Sequence, residues 1–350
     1  MSFWSGNSAA PSFFATLPFQ TLRPQYLRTD MPPLRPESYT LQDGKRATIR
    51  RLFGTQSGLV ADFLAAHYGG DDWRLPRAEA WIGNYLRDSE VVALGLFTAE
   101  GALIATIFSV PVGEAVMSHG GALRDLRVIE GLCVAPAYRG AGVAGFMIAH
   151  ADAFTSYKFG VCAHLWSREV AAASFWDTAL RSDLYGYTLT GFRSGDPIEK
   201  MDWSVFVRLW TESSPSWISN APCIIGKTPQ NRRNASSVYY GYGALAVVNN
   251  TGRVGADGAP IYEIVWSGKY ADGILEPATA DLDYKQLLNG IAAALPAGGV
   301  LFGTTSMDAG GLRNWDHWTL GNSGSHAVYI YNYMPPAFGT CRIFCVRDEL

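Results

Sequence analysis

One stretch constrains this chain more than any other. Residues 128–147 read VIEGLCVAPAYRGAGVAGFM. The stretch Asp125 to Val134, rich in Leu, Val and Ile, predicts a strand, and Val143 to Thr155 predicts a helix. Between them lie Ala135 and Pro136 and then a turn, Arg139, Gly140, Ala141 and Gly142. Glycines let a backbone approach a ligand closely. A helix that opens directly after them offers unpaired amides and a partial positive charge, which suits a pyrophosphate. Arg139 would add a charge-assisted contact. The candidate phosphate-binding residues are therefore Arg139, Gly140, Ala141, Gly142, Val143 and Ala144. The spacing is not G-x-G-x-x-G, and no acidic residue ends a second strand at the distance a dinucleotide needs. No GK[ST] follows, which excludes a Walker loop.

The elements around this stretch read in order. Prolines recur through residues 1–45 (Pro11, Pro18, Pro24, Pro32, Pro33, Pro36) without periodicity, which predicts an extended arm. Apolar residues near helical spacing predict a helix from Arg46 to Tyr68 and a shorter one from Arg77 to Leu86. Strands at Glu90–Phe97 and Ala102–Val110 flank a turn, a hairpin signature. After the glycine helix, Val161–Trp166 reads as a further strand. Helix, helix, three strands, helix, strand is an α+β order with a mostly antiparallel sheet.

The second half repeats that character without a residue-level repeat. Leu245–Val248, Ile261–Trp266, Gly299–Phe302, His326–Tyr333 and Arg342–Val346 read as strands, and Tyr284–Leu295 as a helix. Glu212–Asn234 is polar and contains prolines, so an inter-lobe connection is expected there. A chain of 350 residues has room for two ordinary domains.

Composition narrows the function classes. With 28 Lys+Arg against 31 Asp+Glu, the net charge of -3 offers no basic face for nucleic acid. No apolar run reaches the ~18–20 residues of a membrane span, and the N-terminus lacks the pattern of a secretory leader. The five cysteines (Cys133, Cys162, Cys223, Cys341, Cys345) form no CxxC pair, so reduced thiols in the cytoplasm and no metal site are expected. Without a leader, neither the ER-retention-like ending Arg347–Leu350 nor the sequons at Asn234 and Asn249 are expected to be used. With 11 Trp, 17 Tyr and 17 Phe the chain is aromatic-rich, which fits either large cores or an enclosed apolar ligand.

The turn Arg139–Ala144 resembles the R/Q-x-x-G-x-G/A loop of the GNAT superfamily of acyltransferases. Five further stretches, in matching order, resemble the glycylpeptide N-myristoyltransferases within it. They are Phe3-Trp4, residues 35–42 (RPESYTLQ), residues 130–134 (EGLCV), Phe175-Trp176 and residues 328–336 (VYIYNYMPP). The resemblance implies two pseudo-symmetric GNAT-like lobes on a mixed, mostly antiparallel sheet. It divides the chain into an arm (1–45), an N-terminal lobe for acyl-CoA (46–205) and a C-terminal lobe for peptide (206–350).

It also implies a reaction, in which the glycine amine of a peptide attacks the thioester of myristoyl-CoA. Phe3, Trp4, Leu132, Cys133 and Val134 would join the loop in holding CoA. The backbone amides of Gly131 and Leu132 would form an oxyanion hole, each donor worth about 10²–10³ in rate. The base would be the terminal carboxylate of Leu350, or the Asp348 side chain in its place, and Ser167 would lie near the reacting amine. Tyr68, Asp71, Asp72, Phe175, Asp177 and Tyr331 would meet the peptide. Glu130 replaces a family asparagine and Asp177 a histidine, adding negative charge along the amine's path. The resemblance further implies a monomer without metal, binding no nucleic acid and working transiently beside membranes or ribosomes.

Two other readings stay open on the sequence: an acetyltransferase using acetyl-CoA on a small amine, and an acyl-CoA-binding protein without catalysis. Chain length separates the first from myristoylation. Burying a C14 chain contributes on the order of 10 kcal/mol at about 0.8 per CH₂, whereas an acetyl group contributes almost nothing.

Overall fold

The computed structural model describes residues 25–26, 30–33, 36–70, 73–76, 78–116, 122–160, 162–169, 180–188, 198–217, 223–225, 236–277, 285–296, 299–304, 319–331, 333–334 and 342–344. The first half builds β1 (Ser38–Thr40), β2 (Arg46–Arg51), α1 (Ser57–His67), α2 (Glu79–Arg87), β3 (Val92–Thr98), β4 (Leu103–Val116), β5 (Ala122–Val134), α3 (Val143–Phe159) and β6 (Ala163–Glu169). There follow β7 (Leu180–Thr188), β8 (Glu199–Met201), α4 (Trp203–Ser213), β9 (Ser236–Gly241), β10 (Ala244–Gly255), β11 (Pro260–Ala271), α5 (Lys285–Ala294), β12 (Val300–Thr304) and β13 (Thr319–Tyr331).

One connectivity occurs twice. In the first half β3, β4 and β5 form an antiparallel meander, α3 crosses over, and β6 returns parallel to β5, with Leu126, Arg127 and Val128 opposite Ala163, His164 and Leu165. In the second, β9, β10 and β11 form the meander, α5 crosses over, and β12 returns parallel to β11, with Ile261 opposite Val300. A parallel pair cannot be closed by a tight turn, which is why each carries a helix. The two sets join in one sheet, ordered β8-β9-β10-β11-β12-β7-β13-β6-β5-β4-β3-β2-β1. At the junction the trailing strands are exchanged. β7 pairs with β12 of the second set, and β13 pairs with β6 of the first. This is the α+β fold of two related lobes on a mostly antiparallel sheet.

Helices cover both faces, so central strands carry apolar residues at every position rather than alternately. All seven residues of β3 are buried. On one face Leu52, Phe63, Leu64, Ile82 and Phe108 pack under α1 and α2; on the other Leu94, Leu96, Ile107, Val143 and Met147 pack under α3. In the second half α5 covers Tyr239, Val248 and Ile264, and α4 places Phe206 and Trp210 against Val247 and Trp266.

One sequence expectation is corrected. Arg46–Arg51 is a strand, not the start of a helix. Its buried Ala47 and Ile49 alternate with Arg46 and Arg50 at the surface, a period of two. The helix begins only at Ser57, after a 3₁₀ turn where the Gln56 side chain accepts the Phe53 amide at 3.0 Å. The stretch Glu212–Asn234, expected as a connection, begins with the end of α4 and includes a short strand, Cys223–Ile225, parallel to Arg342–Phe344. The sequence did not announce α4, β7, β8 or β9. The sequon residue Asn249 is 1% exposed, with Oδ1 accepting the Ser236 hydroxyl, so it is closed to glycosylation in the folded chain.

Candidate active site

Along β5 the pairing with β4 skips a residue. Cys133 stands opposite Thr106 and Glu130 opposite Phe108, so Gly131 and Leu132 share the single partner Ile107. This is a β-bulge, which takes a backbone amide out of the ladder. Gly131 sits at φ 55, a left-handed conformation that costs a residue with a Cβ. The buried Thr106 hydroxyl donates to the Gly131 carbonyl at 2.9 Å and holds the bulge in place. The two residues expected to supply the oxyanion hole are thus the two that form the bulge.

A gap opens at the same level. β5 and β6 pair only as far as Val128 and Leu165. Beyond that point β5 stays with β4 as far as Val134, while β6 stays with β13, Ser167 opposite Val328 and Glu169 opposite His326. The strands therefore diverge as a V, and the facing edges are left outside the ladder. Gly131 and Leu132 lie on one arm and Ser167 on the other. An unpaired strand edge is a template for an extended ligand. Tyr331 stands opposite His164, at the closed end of the V rather than on its open arms.

Beyond Val134 the chain makes a 3₁₀ turn, Pro136–Tyr138, and then the glycine loop. Gly140 and Gly142 take φ 77 and φ 80. A Cβ on Gly140 would meet nothing within 4 Å, so that side of the loop is open to a ligand. At Gly142 it would meet the Tyr39 hydroxyl at 3.0 Å. The first turn of α3 closes with the Phe146 amide on the Gly142 carbonyl at 3.1 Å, which leaves the amides of Val143, Ala144 and Gly145 ahead of it. Tyr39 donates its hydroxyl to the Ala141 carbonyl, and its ring lies 4.8 Å from Phe146. His150 lies with Nδ1 2.9 Å from the Phe146 carbonyl and Nε2 3.1 Å from that of Pro36. These contacts fasten the end of the arm to α3 and set the loop.

Arg139 bonds two backbone carbonyls. Its Nε donates to the Val134 carbonyl at 2.9 Å and Nη2 to the His67 carbonyl at 3.2 Å. The guanidinium braces the strand end against the end of α1, with its remaining N–H groups at the exposed surface. Leu132 and Val134 pack on the α3 side, while the Cys133 side chain turns into the core under α1 and α2. Burial pushes the Cys133 thiol up to about 12, against a smaller opposing effect of Arg139, so it is protonated at neutral pH and no acyl-accepting nucleophile. Cys133 can serve a ligand only through its backbone.

Glu130, immediately before the bulge, is 8% exposed, with the Tyr85 hydroxyl 3.5 Å from Oε2. Tyr68 ends α1, its amide on the Leu64 carbonyl at 2.8 Å, and its ring meets Trp73 edge-on at 5.4 Å. Phe3, Trp4, Asp71, Asp72, Phe175, Asp177, Asp348 and Leu350 lie outside the described residues. Sequence reasoning quoted Tyr39 within residues 35–42 without giving it a role, and it missed Thr106; they act on the loop and the bulge from 102 and 25 residues away. It also missed the buried pair of His164 and Asp152, Nδ1 to Oδ1 3.8 Å, that ties β6 to α3. Among the described residues no group of three or more His, Cys, Asp or Glu could hold a metal ion, and no helix is long and apolar enough to cross a membrane.

The fold recurs in solved structures. A structure of Saccharomyces cerevisiae N-myristoyltransferase with bound myristoyl-CoA matches with a TM-score of 0.68 at 12% identity, over 91% of this chain and 90% of that one. A second matches with a TM-score of 0.65 at 12% identity, over 92% of this chain and 86% of that one. A third, with bound myristoyl-CoA and inhibitors, gives 0.64 at 11% identity, over 91% and 88%. The fold is that of the N-myristoyltransferases. At the level of sequence neither a family model nor a curated protein matches this chain. In the N-myristoyltransferase fold of this chain the bulge, the V and the glycine loop all belong to the first of the two related sets. After β11 no comparable glycine loop leads into α5.

Proposed function

We propose that the chain is an acyl-CoA-dependent N-acyltransferase that transfers a myristoyl group to the N-terminal glycine amine of a peptide or protein. One observation carries this reading. A positive-φ bulge at Gly131–Leu132, the divergence of β5 and β6, and the glycine loop at the head of α3 all lie within one strand–turn–helix unit. The loop and the first amides of α3 would take the CoA pyrophosphate, and the edge of β5 through Val134 would take the extended arm that leads to the thioester. The amine attacks the thioester carbon, the C–S bond breaks, and CoA leaves as its thiol. The amides of Gly131 and Leu132 would hold the developing oxyanion. The amine's proton passes to a carboxylate, that of Leu350 or of Asp348, with Ser167 beside it, and on to the leaving sulfur. About a tenth of an α-amine is already neutral at pH 7, so a weak base suffices.

By chain, the lobes fall at 46–205 and 206–350 with the arm at 1–45, and β7 and β8 cross that boundary to pair with the second set. We place the enzyme in the cytoplasm, a reading supported by the cysteine pattern, and take it to act as a monomer. Mass spectrometry of the purified protein under non-denaturing conditions tests the donor. Bound CoA thioesters with chains near C14 are expected. Bound acetyl-CoA would favour acetylation of a small amine, and a protein that binds no CoA thioester, even when titrated with it, would end the proposal.

A further inference from the structure

A cavity of about 490 Å³ opens between α2 of the first half and the second half of the sheet. Trp81 and Asn84 line it on one side, and Lys200, Tyr239, Asn250 and Tyr262 on the other. Alternation along β8 decides which charge enters it. Neighbours on a strand face opposite ways. Glu199 accepts the Tyr240 hydroxyl, and Tyr240 and Met201 both pack on the α4 side. Lys200 lies on the α5 side, its Nζ 5.2 Å from the ring centre of Tyr239. Among the described residues lining the cavity, Lys200 carries the one charge, and no carboxylate joins it.

Helix α2 links this cavity to the bulge. Trp81 meets Tyr85 edge-on at 5.6 Å, one turn further along. Tyr85 in turn reaches Glu130, which precedes Gly131. One helical turn of about 5.4 Å and the length of a tyrosine put the cavity on the order of 10–15 Å from the bulge. Three or four residues of extended chain, at about 3.3 Å each, span that distance.

We propose that the cavity is a distal acceptor subsite that selects substrates carrying a carboxylate three or four residues beyond the reactive amine. The inference rests on the N-acyltransferase reading. The charges would be complementary end to end: the Glu130 carboxylate, one residue before the bulge and held by Tyr85, at the amine's end, and the Lys200 ammonium at the cavity end for the acceptor's carboxylate. The Asn84 and Asn250 amides and the Tyr239 and Tyr262 hydroxyls supply neutral hydrogen bonds around that carboxylate. The rings of Trp81 and Tyr239 form the walls.

The test uses three fluorescently tagged peptides that begin with glycine and differ only at the fourth residue: Asp, Asn or Lys. Binding is measured by anisotropy on the full chain in the presence of myristoyl-CoA, and acyl transfer is measured in parallel. The Asp peptide should bind more tightly than the Lys peptide by on the order of fivefold, less so at high salt. Lys200→Gln should abolish the difference and Lys200→Glu should reverse it. Lys200 is at the surface, and equal melting temperatures would show that both variants fold. Equal binding of the Asp and Lys peptides, or a preference that survives Lys200→Glu, overturns the inference. If peptides are acylated without charge preference, the subsite is wrong and the transferase reading stands. If the preference appears in binding but no peptide is acylated, the subsite stands and the transferase reading is wrong.

Discussion

At Gly131 a single missing Cβ decides both the shape of a strand and the direction of an amide. Any other residue at φ 55 costs about 1–2 kcal/mol, and flattening the bulge would return its amide to the ladder. Gly131→Ala should therefore lower stability by about that amount in denaturant titration. It should also cut acyl transfer about 10²-fold, the loss typical of one oxyanion donor, with acyl-CoA affinity nearly unchanged. Full activity in this variant would remove the bulge from the mechanism. The neighbouring Cys133 makes a prediction of a different kind. Its thiol is held up to about 12 in the folded chain, above the ~8.5 of an unfolded cysteine. Below pH 8 both states keep the proton and the group adds no pH dependence. Between about pH 9 and 12 the unfolded chain releases it first, so stability falls as pH rises. Raising the pH from 8.5 to 10.5 should cost the native chain about 2 kcal/mol more than it costs Cys133→Ala. Parallel pH curves for the two proteins would contradict the burial of that thiol.

At the scale of elements, the glycine loop is positioned by groups outside it. Tyr39→Phe removes the hydroxyl that the Ala141 carbonyl accepts, and Arg139→Ala removes the brace between Val134 and His67. Each should cost about 1 kcal/mol of stability and weaken CoA binding several-fold in calorimetry. Unchanged affinity in both would mean that the loop does not hold CoA. The loop itself was legible in the sequence, because strand, turn and helix signals there lie within twenty residues and agree. Arg46–Arg51 was misread because Ala47, Ile49, Leu52 and Phe53 fit a helix about as well as a strand. Only the pairing with β3, Ile49 opposite Leu96, separates them. Helix α4 escaped because its apolar face, Phe206, Leu209 and Trp210, runs into a polar, proline-bearing stretch read as a connection. Contacts such as Tyr39 with Ala141 and Thr106 with Gly131 leave no mark on local composition.

At the scale of the whole molecule, the exchange of β7 and β13 makes the two halves interdependent. The strand that leads towards the C-terminus, β13, is paired with β6, one arm of the V. Long-range pairing of this kind could not be read from periodicity, although the likeness of the two halves was. The same exchange brings the last described strand of the main sheet beside the proposed reaction centre, which is where the tail Arg347–Leu350 would be needed as a source of base. The most direct measurement is transfer from a series of acyl-CoA thioesters, C2 to C18, to a glycine-initiated peptide. Free thiol and peptide mass would be followed together, for the full chain and for one lacking Arg347–Leu350. The account predicts an N-terminally acylated peptide and one thiol per acyl group, with kcat/KM highest near C14. It also predicts that removing the tail lowers turnover and leaves acyl-CoA binding nearly intact. Turnover fastest with acetyl-CoA, or no acylated peptide with any thioester, would contradict it.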